Sequence, residues 1–220
     1  MDIAARIEHT LLRPDSTEND VRLAVMAASK HHLAAATVPP TWARFAVTAA
    51  AGSPVRIGVP VGYPLGTHTA SAKGLEARLA LEEGVVEVTL VPNLAAFKSG
   101  HREVFRQDMA HMIKQCRLVN ADALVKVLLY TDLLSPDELR EVVRSVQGSG
   151  GRFIFLGTFA PQPITPAMVR QLVAAAEPGS PVGVMAEMRS WDEARPLLEL
   201  GLARLATPWG VELVQEVRGR

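Results

Sequence analysis

Short runs of apolar, often β-branched residues alternate along this chain with longer segments whose apolar positions recur at helical spacing. Eight such runs predict strands, at Ile7–Leu12, Ala34–Val38, Val55–Val61, Val85–Val91, Ala123–Tyr130, Phe153–Gly157, Val182–Glu187 and Ala203–Thr207. They read as nearly continuous apolar stretches, as strands do when both faces are buried. Between them, Val21, Ala24, Val25 and Ala28 mark one helix face, and Leu139, Val142, Val143 and Val146 mark another. Ser16-Thr17-Glu18-Asn19, Ser135-Pro136-Asp137-Glu138 and Thr165-Pro166 predict helix starts. There a hydroxyl can hold the first free amides, and proline fits the first turn. Gly148, Gly150 and Gly151 predict a helix end, where a left-handed residue is wanted.

Strand–helix alternation repeated eight times predicts a parallel sheet covered by helices. In 220 residues the arrangement that fits is one (β/α)8 TIM barrel, a single domain over 1–220. A doubly wound open sheet is the alternative. No G-x-G-x-x-G follows the first strand, which disfavours a dinucleotide fold. No linker, charge block or low-complexity stretch marks a second domain.

Composition narrows the function. Basic and acidic residues balance at 23 each, so the formal charge is zero. A phosphate-backbone binder needs a basic face, and no nucleic-acid partner is expected. One cysteine, Cys116, leaves no disulfide framework or Cys-rich metal site. The six histidines have no metal-ligand spacing with acids or cysteine, so no metal and no cofactor are expected. The start lacks a signal-peptide core, and no apolar run approaches the roughly 20 residues of a membrane span. A soluble cytoplasmic protein with a small-molecule substrate and no membrane partner is expected.

A barrel places its chemistry at the C-terminal strand ends. Lys126 sits inside an apolar strand, where desolvation would lower its pKa toward a nucleophilic amine; the plainer role is a structural pair. Glu187 closes the seventh strand and is a candidate general acid or base, with a salt bridge to Arg189 as the alternative. Tyr130 ends the fifth strand and can donate to a carbonyl oxygen. His9 and His68 can carry protons near neutrality, though lone histidines are more often structural. Phe155, Phe159, Met185, Met188 and Trp209 fall at or past strand ends and would form an apolar mouth, unless they are ordinary packing.

The order of motifs identifies a resemblance. His9-Thr10-Leu11-Leu12-Arg13-Pro14 resembles the D-H-T-L-L-K-P opening of deoxyribose-phosphate aldolases. Gly62-Tyr63-Pro64-Leu65-Gly66 resembles their G-F-P-L-G loop, with Lys73 and Glu76 following at the expected distance. Glu87-Val88-Thr89-Leu90-Val91-Pro92-Asn93 resembles E-I-D-M-V-I-N, and Lys98-Ser99-Gly100 continues the match. Val125-Lys126-Val127-Leu128-Leu129-Tyr130-Thr131 resembles L-K-V-I-L-E-T. The resemblance implies a (β/α)8 barrel, often dimeric, so a homodimer is the expected assembly. It also implies class I aldolase chemistry, in which a lysine forms a Schiff base with acetaldehyde that then adds to glyceraldehyde 3-phosphate.

Departures at the catalytic and phosphate positions change that expectation. Phe155 stands where the family's F-V-K-T-S-T-G-F carries the imine lysine. Met185 stands at the second lysine of G-V-K-A-S-G-G-I-R, and Thr89 at the aspartate of E-I-D-M. Glu187 and Met188 replace the Gly-Gly pair, and Thr207-Pro208-Trp209-Gly210 replaces the serine-rich phosphate turn. A phenylalanine cannot form an imine, and a nearby carboxylate repels phosphate. The leading expectation is a repurposed aldolase-like enzyme. It would act by carbon–carbon lyase or cyclisation chemistry on a small, non-phosphorylated, partly apolar metabolite. Lys126, Glu187 and Tyr130 would be catalytic; Phe155, Phe159, Met185, Trp209, Thr89, Asn93 and His9 would bind substrate. The alternatives are a non-catalytic binding protein and a class I aldolase with its Schiff base moved to Lys126.

Overall fold

The computed structural model describes residues 3–219. Eight parallel strands run in sequence order around a closed barrel: β1 (Ile7–Thr10), β2 (Ala35–Thr37), β3 (Arg56–Val61), β4 (Glu87–Leu90), β5 (Leu124–Tyr130), β6 (Phe153–Gly157), β7 (Val182–Met185) and β8 (Arg204–Thr207). The last closes on the first through Ile7–Leu205, Glu8–Ala206 and His9–Thr207. Around it lie α1 (Glu18–Lys30), α2 (Ala43–Ala49), α3 (Ala70–Glu82), α4 (Leu94–Lys98), α5 (Arg102–Val119), α6 (Pro136–Gly148), α7 (Pro166–Ala175), α8 (Trp191–Leu198) and α9 (Gly210–Gly219). The (β/α)8 expectation holds. Most strands are a residue or two shorter than their apolar runs, because the flanking apolar residues lie in the turns that lead to and from the helices. No helix among the described residues is long and apolar enough to cross a membrane.

The helix starts follow from local chemistry. Thr17 accepts from the Asp20 amide while Asp20 accepts from the Thr17 amide, a reciprocal capping box that opens α1. Ser135 and Glu138 do the same for α6, with Pro136 in the first turn. Thr165 caps α7 through the Met168 amide. Past the end of α6, Gly150 adopts a φ of 91°, where a side chain would be strained.

Alternation along each strand sorts the barrel wall into two faces. Ile57, Val59, Val61, Val88, Leu90, Val127, Leu129, Ile154, Leu156, Val184 and Leu205 point outward and are buried under the helices. The inward set is different in kind. It carries Glu8, Thr37, Glu87, Thr89, Lys126 and Arg204 among its apolar members, and it positions the site.

Candidate active site

Lys126, third residue of β5, crosses the barrel interior. Its Nζ lies 2.7 Å from Glu8 Oε2 and 2.8 Å from Glu87 Oε2. Arg204 Nη1 sits 3.3 Å from the same oxygen of each glutamate. Arg56 Nε is 3.1 Å from Glu87 Oε1, and the Thr37 hydroxyl donates to Glu8 Oε1 at 2.6 Å. Lys126, Glu8 and Glu87 are wholly buried. Burial alone would raise the Glu87 carboxyl, but Lys126, Arg204 and Arg56 outweigh it and hold the group below the ordinary carboxylate range. Arg56, Glu87 and Arg204 each begin a strand, so this ionic layer floors the N-terminal end of the barrel.

A hydrocarbon plug covers that floor. The Phe155 ring centroid lies 5.3 Å from Lys126 Nζ, and the ring meets Phe153 edge-on at 5.1 Å. It is fully buried, and Leu128 beside it is nearly so. Gly183, opposite Phe155 in register, makes the room: a β-carbon there would fall within the ring edge. The Lys126 amine is therefore shut off from the open end of the barrel and engaged by two carboxylates.

Above the plug is the C-terminal mouth. Tyr130 ends β5, and its ring meets Phe159 edge-on at 5.5 Å. Burial raises the Tyr130 phenol pKa, and nearby Tyr63 and Asp132 push it further, so the phenol stays protonated as an O–H donor. Burial raises Tyr63 likewise. These are the chain's two tyrosines. Asp132 accepts the amides of Phe159 at 2.9 Å and Ala160 at 3.0 Å, which pins the β6–α7 loop across the rim. Thr207, buried at the end of β8, accepts from the amides of Met188 (3.1 Å) and Trp209 (3.3 Å) and ties two further loops together. Arg189 lies 5.2 Å over the Trp209 ring and pairs with Glu187 at 3.3 Å. Among the described residues no three His, Cys, Asp or Glu side chains gather as metal ligands.

A parallel barrel with a strand-end mouth is shared by many enzymes, so relatives decide among them. A deoxyribose-phosphate aldolase of Streptococcus sanguinis is 30% identical over 98% of this chain and 96% of its own length. One of Bacillus mycoides is 31% identical over 97% and 95%. The chain belongs to the deoxyribose-phosphate aldolase family. The solved structure of QR15, an aldolase, matches with a TM-score of 0.92 at 26% identity, covering 100% of this chain and 97% of that one. Tetrameric deoxyribose phosphate aldolase from Aeropyrum pernix matches with a TM-score of 0.90 at 28% identity, covering 98% and 91%. No protein-family model matches the chain.

Within this aldolase-family barrel the residues singled out from sequence part company. Tyr130, Phe159, Met185 and Trp209 reach the mouth; Phe159 is 51% exposed and Met185 half-buried. Thr89 faces inward at 1% exposure, and its hydroxyl has no hydrogen-bond partner among the described residues. Phe155 faces inward too, but as the plug rather than as an open pocket wall. Lys126 points inward but below the plug, in the structural pairing named as its alternative. Glu187 lies on the exposed rim, in the expected bridge to Arg189. His9 points away from the interior, because Glu8 takes the inward position and side chains alternate. It packs against Gly210 on α9; burial lowers its pKa, partly offset by Glu212. Asn93 caps α4 through the Ala96 amide at 3.1 Å, and its own amide donates to Asp108. The sequence reading missed Tyr63, Asp132 and the partners of Lys126. A signal for the partners was present: Glu8, Glu87 and Arg204 are charges in apolar strands.

Proposed function

We propose that this chain is an aldolase-family lyase that works without an imine on a small, non-phosphorylated, partly apolar carbonyl compound. Phe155 carries the reading: the resemblance sets it at the imine lysine's position, and it is a fully buried ring packed into the Gly183 space. The remaining lysines supply no substitute. The chain has five, none after Lys126. Lys30, Lys98 and Lys114 lie on exposed helix positions. Lys73 is buried against Asp108 at 2.7 Å, and Lys126 is held by two glutamates beneath the plug.

The loops after β7 and β8, which commonly hold phosphate in such barrels, spend their amides internally. Met188 and Trp209 donate to Thr207, Arg189 to Glu193 at 3.0 Å, and Trp191 to Glu216 at 2.7 Å. Pro208 has no amide to give. Glu187 adds negative charge at the rim. These features favour an uncharged substrate held by apolar contacts with Phe159, Met185 and Trp209. The Tyr130 phenol donates to the substrate carbonyl oxygen, and Glu187 is the rim carboxylate that accepts a proton. Thr89 offers a second neutral hydroxyl from the wall.

A second reading, a metabolite-binding barrel without chemistry, is favoured by one observation: the buried charges described in the barrel interior are ion-paired below Phe155. Borohydride reduction with acetaldehyde and glyceraldehyde 3-phosphate, read by intact mass, tests the imine. Turnover of non-phosphorylated hydroxyaldehydes, read by NMR, tests the lyase. No adduct is expected on the buried Lys73 or Lys126, with turnover lowered at least about 100-fold in Tyr130→Phe. An adduct on Lys126 overturns the imine-free reading. Saturable binding without turnover selects the binding protein.

A further inference from the structure

A cleft of about 430 Å³ opens outside the barrel wall, between the start of α3, the start of α4 and the face of α5. Thr69, Asn93, Val104, Gln107, Asp108 and His111 line it. Asp108 is only 3% exposed. Its Oδ2 accepts from Lys73 Nζ at 2.7 Å and from the Asn93 amide at 3.0 Å. Its Oδ1 is buried and has no hydrogen-bond partner among the described residues. A buried carboxylate oxygen leaves a strong acceptor unsatisfied at considerable cost, and it marks where a donor belongs.

The surroundings say what kind of donor. An ammonium ligand would crowd a second cation onto a carboxylate already matched by Lys73, and an anion would meet that carboxylate directly. A hydroxyl meets neither objection. The further side chains that line the cleft are hydrogen-bonding ones. The Asn93 side-chain oxygen caps Ala96, which leaves its NH2 to donate. Gln107 Nε2 is held by Glu103 at 3.0 Å, which leaves its carbonyl to accept. The His111 imidazole packs across α3, where a β-carbon on Gly74 would fall 2.6 Å from Nε2. We infer that this cleft is a second binding site, separate from the barrel mouth, for a small uncharged polyhydroxylated ligand, with one hydroxyl donating to Asp108 Oδ1.

Ribitol is the probe, with glycerol phosphate and ethanolamine as its anionic and cationic counterparts. Binding is read from the His111 ring resonances, assigned by their loss in His111→Gln. Ribitol is expected to shift them saturably with a Kd of about 1–10 mM. Val104→Trp, at a position 51% exposed, should cover the cleft and weaken binding at least about tenfold while leaving thermal stability unchanged. Absence of saturation at about 50 mM ribitol overturns the site. Unaltered binding in Val104→Trp overturns its location, and tighter binding of either charged probe overturns the ligand class. None of these outcomes depends on whether the mouth is catalytic.

Discussion

The Phe155 ring occupies the volume that any side chain at position 183 would need. The two residues face each other across β6 and β7 and act as one packing unit. Gly183→Ala should therefore destabilise by about 3 kcal/mol through overpacking, read as a lower urea midpoint. Phe155→Leu in the same chain should recover about 1 kcal/mol or more, because contacting sites are not additive. Additive losses would mean that the ring does not rest on Gly183.

The buried ionic floor predicts a different sensitivity. Lys126→Met leaves Glu8 and Glu87 facing each other without their shared ammonium, and it should cost about 4 kcal/mol in equilibrium unfolding. A small loss would show that Arg204 and Arg56 neutralise the pair unaided.

Acid should act through the same layer. The Glu87 carboxyl is held below its unfolded value by its three cations, despite burial. Its contribution is thus fully present above the ordinary glutamate range and is lost as pH falls through the lower folded value. The urea midpoint should drop between about pH 5 and pH 2, and less steeply in Glu87→Gln. Parallel profiles for the two proteins would refute the assignment.

The plug position offers a gain-of-function test. Phe155→Lys puts an amine beside the Gly183 space and near the Lys126 ammonium, which favours its neutral form. Borohydride with acetaldehyde should then give a stable adduct mapped to residue 155, with none at that position in the unmodified protein. No adduct in Phe155→Lys would remove the equivalence of this position with the family's imine site.

Asp132 predicts how the rim is held. Asp132→Ala releases the Phe159 and Ala160 amides, and chymotrypsin should cut after Phe159 markedly faster. With its negative neighbour gone, Tyr130 should also titrate at lower pH, visible as earlier phenolate absorbance. An unchanged cleavage rate and an unchanged titration would show that Asp132 neither pins the loop nor faces the phenol.

The barrel was legible because its outward strand faces are mostly Val, Ile and Leu, and because Thr17, Ser135 and Thr165 mark their helices in plain composition. Family membership was legible from motif order. The inner face was harder to read. Whether Lys126 serves the mouth or the floor depends on height along β5 and on what stacks above it, and neither is written in local sequence. Glu8 and Glu87 lie 79 positions apart and meet only when the barrel closes. His9 illustrates the same limit: a period of two sends it outward once Glu8 turns in. Tyr63 lies in the loop after β3, where a residue has no inward or outward register to read from sequence.

The Phe155–Leu128 layer divides the interior into two compartments that answer to different demands. Below it, salt bridges fix how the strands assemble; above it, the lining can change without disturbing that assembly. Such insulation makes the fold evolvable. A lineage could discard one reaction and try another at the rim, while the cross-barrel charges went on specifying the scaffold.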